Sequence, residues 1–185
     1  MLYASRGTRT DSLTEEDLKQ GLIAALDRLG PRKKVLAVPP DITRFHSRAG
    51  EITRMVWEYY GKALTAVLPA IGTHSPMTEP EIRRMFAGVP LGLFRRHDWR
   101  EGVTTLGEVP AEFIRQVSEG KVDYPWPAQL DRLLVEGGFD LILSIGQVVP
   151  HEVAGMANYN KNLFVGTGGA EGINKSHFLG AVYGM

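Results

Sequence analysis

Four short stretches of this chain carry side chains that can move protons or bind anions. PPDITRFH holds Asp41, Thr43 and Arg44, and GTHSPM holds His74. GQVVPHEVAGMANYNKN holds His151 and Lys161, and GTGGAEGINKSHF holds Gly168, Gly169, Asn174, Lys175 and His177. Imidazole exchanges a proton near neutrality because its unperturbed pKa is about 6.5. A guanidinium such as that of Arg44 grips a carboxylate through two parallel N–H bonds. The last stretch nearly matches the phosphate loop G-x-x-x-x-G-K-[ST]: Gly169, Lys175 and Ser176 are in register, but Asn174 replaces the second glycine. An ATP loop has no use for an imidazole at His177, which leaves open what this loop holds.

Each stretch follows an apolar run. Residues 35–38, 64–71, 139–145 and 163–165 read as buried strands, two of them stopped by Pro39-Pro40 and Gly72. Helical spacing links Leu18, Leu22, Ala25, Leu26 and Leu29 after a capping box predicted at Ser12 and Glu15. Ile52, Met55, Val56 and Tyr59 or Tyr60 mark a second helix. Thr78 with Glu81 predicts a capping box before Ile82, Met85 and Phe86. Leu130, Leu133 and Leu134 mark a further helix, and another runs from Asn174 onward. Residues 88–127, rich in Gly, Pro and charge, show no clear period. Alternation of this kind predicts an α/β fold, a layered, mostly parallel sheet with helices on both faces, Rossmann-like, over residues 1–185. Ligands of such sheets sit beyond the carboxyl ends of the strands, where these four stretches fall.

Composition excludes several classes. At 185 residues with 43% hydrophobic residues, the chain has enough apolar side chain for one ordinary core. Lys plus Arg balances Asp plus Glu at 21 each, so no overall field draws a nucleic acid or a membrane surface. A small-molecule partner is the expectation. The chain has no cysteine, so any metal must use His, Asp or Glu. No apolar run approaches membrane-spanning length and no signal pattern opens the chain, which points to the cytoplasm. Three of the five histidines follow strands. A lone histidine is more often solvated or packed in a core, and their recurrence at strand ends weakens that plain reading. His46 and His97, in charged segments beside arginines, read as surface residues.

The combination D-x-T-R, G-T-H, P-H with Lys161 ten residues on, and His177 sixteen beyond that lysine, resembles the N-terminal domain of the nickel-pincer lactate racemase family. The resemblance spans nearly the whole chain. It implies a racemase or epimerase of a 2-hydroxy acid, lactate-like or a sugar acid. The cofactor implied is a nickel-pincer nucleotide, a pyridinium bis-thiocarboxylic acid mononucleotide tethered through a thioamide to Lys161, with His177 completing the nickel coordination. His74 and His151 would be the acid-base pair, and Arg44 with Asp41 would bind substrate. Thr43, Gly168, Gly169, Asn174 and Lys175 would line the cofactor, the glycine-rich loop cradling its phosphate and Lys175 helping Lys161 shed its proton. Such chemistry needs an imidazole on each side of a planar keto acid, because the hydroxyl proton must leave as hydride departs from carbon two. Nickel accepts imidazole nitrogen and sulfur in a planar arrangement.

The chain also departs from that pattern. Characterised lactate racemases carry a glycine-arginine-rich run around the lysine, where this chain reads Ala157-Asn158-Tyr159-Asn160-Lys161-Asn162. The family continues into a second, C-terminal domain that closes over the cofactor. Tyr183-Gly184-Met185 falls in a helical run, so the expectation is a part of a longer enzyme, inactive alone. Taken without the resemblance, Lys161 reads as a surface lysine, Asp41 with Arg44 reads equally as a structural ion pair, and the glycines read as positive-φ turns. Glu152 and Glu171 have no assigned role. A P-loop-like nucleotide enzyme and a non-catalytic binding domain remain the alternatives.

Overall fold

Helix α1 (Glu15–Leu29) is capped by Thr14, two residues later than the spacing of Ser12 and Glu15 predicts. Thr14 Oγ1 accepts from Asp17 N, and the Asp17 carboxylate accepts from Thr14 N and also pairs with Arg6. The Thr14 N–H, foremost, holds the Asp17 carboxyl below its ordinary range. Glu15 of the expected box is instead paired with Arg54 of the next α-helix. This computed structural model describes residues 2–151, 153 and 155–183, so Glu152, Gly184 and Met185 lie outside the described residues.

After α1 the chain enters β1 (Val35–Val38), whose four residues are fully buried. A 3-10 turn over Ile42–Ser47 leads into α2 (Ala49–Tyr60), then β2 (Leu64–Val67) and α3 (Glu79–Met85), which carries the predicted Thr78–Glu81 capping box. Strand β2 is shorter than the run 64–71. The parallel pairing nevertheless continues past Pro69, with Leu68 N on Ala37 O and Ala70 N on Pro39 O. The middle region contains β3 (Val103–Val109), α4 (Ala111–Val117) and β4 (Trp126–Asp131), the two strands antiparallel in a sheet of their own. Helix α5 (Arg132–Glu136) follows, capped by Asp131, so Leu130 belongs to the strand before it. Strand β5 (Leu141–Ser144) completes the first sheet. Helix α6 (Tyr159–Phe164) and helix α7 (Ala170–Tyr183) end the described chain.

The principal sheet has the order β2-β1-β5, all parallel. Alternate residues of β1 face opposite layers, as the two-residue period of a strand requires. Val35 and Ala37 pack with Val56 of α2 and Met85 of α3, while Leu36 and Val38 pack with Leu134 of α5 and, less buried, Leu163 of α6. Helices therefore cover both faces, as the sequence predicts for an α/β layered fold.

Residues 163–165 are not a strand. Asn162 N bonds to Asn158 O, Val165 N to Lys161 O and Thr167 N to Leu163 O, which is helical bonding continued past Phe164. Three apolar residues are too few for periodicity to separate a buried strand from a buried helical turn. Helix α7 likewise begins at Ala170, four residues before Asn174.

Close packing tests this architecture at two glycines. A Cβ on Gly50 of α2 would lie 1.8 Å from the Met85 carbonyl oxygen, whereas a Cβ on Gly21 of α1 meets nothing within 4 Å. Gly50→Ala is expected to lower unfolding free energy by about 1–3 kcal/mol, and Gly21→Ala to raise it by about 0.5–1 kcal/mol, both read from urea midpoints at constant m.

Candidate functional site

The three parallel strands end at one edge, and the chain leaving each end walls a cavity of about 190 Å³. From β1 come Asp41, Thr43 and Arg44, from β2 comes His74, and from the loop after β5 comes His151. Lys161 of α6 and His177 of α7 line the same cavity. Seven of the eleven residues selected from sequence thus meet in one place. Gly168, Gly169, Asn174 and Lys175 are not part of its wall.

Asp41 is 4% exposed and caps the 3-10 turn. Its Oδ1 accepts from the Thr43 amide and hydroxyl, and its Oδ2 lies 2.7 Å from His74 Nδ1. Asp41 lines the cavity as expected, and within the protein its carboxylate holds His74. An acceptor-only carboxylate places a ring proton on Nδ1, which in the neutral ring leaves Nε2 with its lone pair. His74 itself is 58% exposed at its side chain, so the buried partner supplies its orientation.

His151 sits in the long loop between β5 and α6. Its backbone N bonds to Gly155 O, Ala157 N bonds to Val149 O, and Val153 N donates to His151 Nδ1 at 3.1 Å. Asn158 closes the loop at its base: its side chain accepts from Ser144 Oγ and donates to Gly146 O. Its backbone, at φ 59° and ψ −148°, lies outside the left-handed helical region that asparagine tolerates, so these side-chain bonds hold a strained conformation. Asn162, one turn further, donates to Val38 O and Ser144 Oγ, bolting α6 beneath the ends of β1 and β5. The asparagine-rich run around Lys161 thus fixes the floor of the site. Lys161 is half-buried on this helix rather than at the start of a strand.

His177 Nδ1 is 2.8 Å from the Ile173 carbonyl. A carbonyl only accepts, so a ring proton is on Nδ1, and in the neutral ring Nε2 keeps its lone pair, an arrangement that also suits a histidine oriented for a metal by a backbone oxygen. Among the described residues no three His, Asp or Glu side chains converge to hold a metal. A metal beside His177 would therefore take most of its donors from a bound group that brings its own. The donor chemistry fits a sulfur-bearing cofactor with one protein imidazole.

The glycine-rich loop serves packing. Gly166 N, Thr167 N, Gly168 N, Ala170 N and Gly172 N already donate to Lys161 O, Leu163 O, Val165 O, Trp99 O and Gln129 Oε1. A Cβ on Gly168 would lie 2.1 Å from Phe164 O, and one on Gly169 2.4 Å from Gln129 Oε1. Gly166, Gly168, Gly169 and Gly172 have no positive φ, so close approach and not turn geometry requires them. These five amides are committed within the protein, which weighs against the phosphate cradle expected here. Lys175 is corrected as well: its ammonium bonds Pro125 O and Glu171 and lies over the Tyr124 ring, away from Lys161. Asn174 is exposed on α7. Since α7 starts directly after Gly169, the residues of a P-loop would lie inside the helix, and the nucleotide-loop alternative fails.

His46 is exposed as expected, although it borders the cavity. His97 is the opposite of a surface residue. Its side chain is fully buried, with Nδ1 2.6 Å from Asp131 Oδ2 and Nε2 3.0 Å from Gly168 O. Asp131 N also bonds Thr167 O. This pair ties the chain before β3 to the loop that starts α7, and thus steadies His177.

A model of the lactate racemase N-terminal domain matches residues 19–183. The chain belongs to this family. A crystal structure of a protein from Thermotoga maritima is similar at 30% identity and a TM-score of 0.73, covering 91% of this chain and 41% of that one. The lactate racemase apoprotein from Thermoanaerobacterium thermosaccharolyticum shares the fold at 21% identity and a TM-score of 0.65, covering 86% of this chain and 38% of that one. No curated protein sequence matches. The chain spans about two-fifths of the length of those two structures.

Removing the His97 ring would leave a buried carboxylate without its partner, which typically costs about 3–5 kcal/mol. His97→Ala is expected to lose stability on that scale in urea titration, and His46→Ala to stay within about 0.5 kcal/mol of the parent chain.

Proposed function

We propose that this domain is the cofactor-bearing part of a longer racemase or epimerase of 2-hydroxy acids. The observation that carries the reading is the meeting of Arg44, His74, His151, Lys161 and His177 on one cavity at the carboxyl edge of a lactate-racemase-family sheet. In this reading Lys161 holds a nickel-pincer nucleotide through a thioamide and His177 ligates its nickel. When bound, that group supplies the acceptor that takes a hydride from carbon two of the substrate and returns it.

The protein's own residues do the rest. Arg44 anchors the substrate carboxylate, which keeps the acid in place while the centre becomes planar. His74, oriented by Asp41, accepts the hydroxyl proton at Nε2, and His151 faces the same oxygen from the other loop. A further domain in the longer protein closes the open side and excludes water. Among the described residues no helix is long and apolar enough to cross a membrane. The acid itself, lactate or a larger sugar acid, is fixed by groups beyond this cavity wall.

In the loaded longer protein, His74→Ala and His151→Ala are each expected to slow racemisation of a 2-hydroxy acid by roughly 100- to 10,000-fold, measured by chiral chromatography. His177→Ala is expected to lose most bound nickel by elemental analysis while the protein stays folded. Full activity in the histidine double variant, or unchanged nickel in His177→Ala, would refute these assignments.

A further inference from the structure

We propose that a second cavity, beside the outer strand β2, binds a compact organic anion with an apolar body of roughly ten heavy atoms or fewer and one carboxylate. The cavity measures about 260 Å³. Strand β2 ends the order β2-β1-β5, so one side of it has no strand of that sheet beside it. The chain before β3 runs along that side. Arg95 N bonds to Val67 O, and Val67 and Phe94 form a single parallel bridge. Beyond the bridge Pro69 and Ile71 line one wall of the cavity and residues 94–97 line another. Pro76 and Met77, from the loop before α3, and Ile82 of α3 complete it.

Charge and hydrogen bonding in this wall select the ligand. Its side chains include no Asp or Glu, while Arg95 and Arg96 bring two guanidinium groups. Among the described residues neither arginine has a carboxylate within ion-pair distance. Arg95 spends Nη1 on Gly92 O and Phe94 O, which fixes its guanidinium in place. His97 offers the ligand no ring nitrogen, because both are held by Asp131 and Gly168 O. Two unneutralised cations over an apolar cavity make a field that a carboxylate answers. A further donor is the Ile71 amide. Leu68 N and Ala70 N turn toward β1, so by the alternation of a strand the Ile71 amide points the other way. Among the described residues it has no hydrogen-bond partner, although Ile71 is only 4% exposed. A buried amide without a partner is costly, and a carboxylate oxygen satisfies it. The half-buried Met77, Ile82 and Phe94 receive the apolar body. Ile71 also lines the cavity of Arg44 and His74, and its carbonyl accepts from His74 N at 2.9 Å. The two cavities thus share a wall while using different arginines.

A titration of the full chain, labelled with ¹³C at its Met and Ile methyl groups, tests the site. The probes are phenylacetate and phenylacetamide, which share a shape and differ in charge. Met77→Leu and Ile82→Val assign the reporting signals. Phenylacetate is expected to shift both signals to saturation with a Kd on the order of 1 mM. Phenylacetamide on the parent chain, and phenylacetate on Arg95→Gln/Arg96→Gln, are each expected to bind at least about 10-fold more weakly, the worth of one charge-assisted hydrogen bond. Arg44→Gln alters only the neighbouring cavity and is expected to leave the Met77 and Ile82 shifts unchanged. Equal affinity for acid and amide, no loss in the arginine double variant, or loss of the shifts in Arg44→Gln would overturn the proposal. Absence of the titration from the longer protein would also overturn it, by showing that the further domain fills the cavity. None of these readings needs nickel, cofactor or turnover, so they stand or fall separately from the proposed function.

Discussion

The parallel pairing of β1 between β2 and β5 is the constraint on which the remaining structure depends. Parallel neighbours run their carboxyl ends to the same edge, so three loops must leave the sheet side by side. Pro39-Pro40 and Pro69 remove amide donors there, and the loops turn away into the site. Burial of β1 on both faces keeps the edge in place. Each aliphatic side chain taken fully out of water contributes about 1.5–3 kcal/mol, and none of the four in this strand reaches solvent.

Polar groups in this domain divide into two kinds. Asn158, Asn162, Ser144, Gln129, Asp131 and His97 use their hydrogen bonds to fasten α6, the glycine-rich loop and α7 to the sheet. Asp41 and the carbonyl of Ile173 are spent on turning single imidazole rings. The site is thus built on partners fixed before any ligand arrives, which lowers the ordering cost of binding. Tyr159 and Asn158, both at positive φ, show where the chain accepts backbone strain to bring Lys161 under the cavity.

Much of this was legible in the sequence where the signal is local. The strand at 35–38, the capping box at Thr78 and the helix through Met55 follow from spacing alone. The gathering of His74 and His151 followed from their places after strands and from the family resemblance, whereas His177, which follows a helix and not the expected strand, was reached through the resemblance alone. What escaped depends on distant partners. His97 lies in FRRHDWR, a stretch that looks solvated, and its burial is decided by Asp131, 34 residues away. Asp41 stood beside Arg44 in sequence but pairs with His74, 33 residues on. The glycine loop resembled a phosphate cradle because its letters do not reveal that Trp99 and Gln129 already occupy its amides.

The central claim is that the cavity exists to hold a covalent group on one amine. Peptide mapping by mass spectrometry of the longer protein, produced together with the enzymes that mature the cofactor, tests it most directly. The account predicts a single nickel-bearing adduct on the peptide containing Lys161, absent from Lys161→Arg, which keeps the charge but offers no amine for a thioamide. An adduct on Lys175, or none on any lysine of a protein that still racemises its substrate, would contradict it.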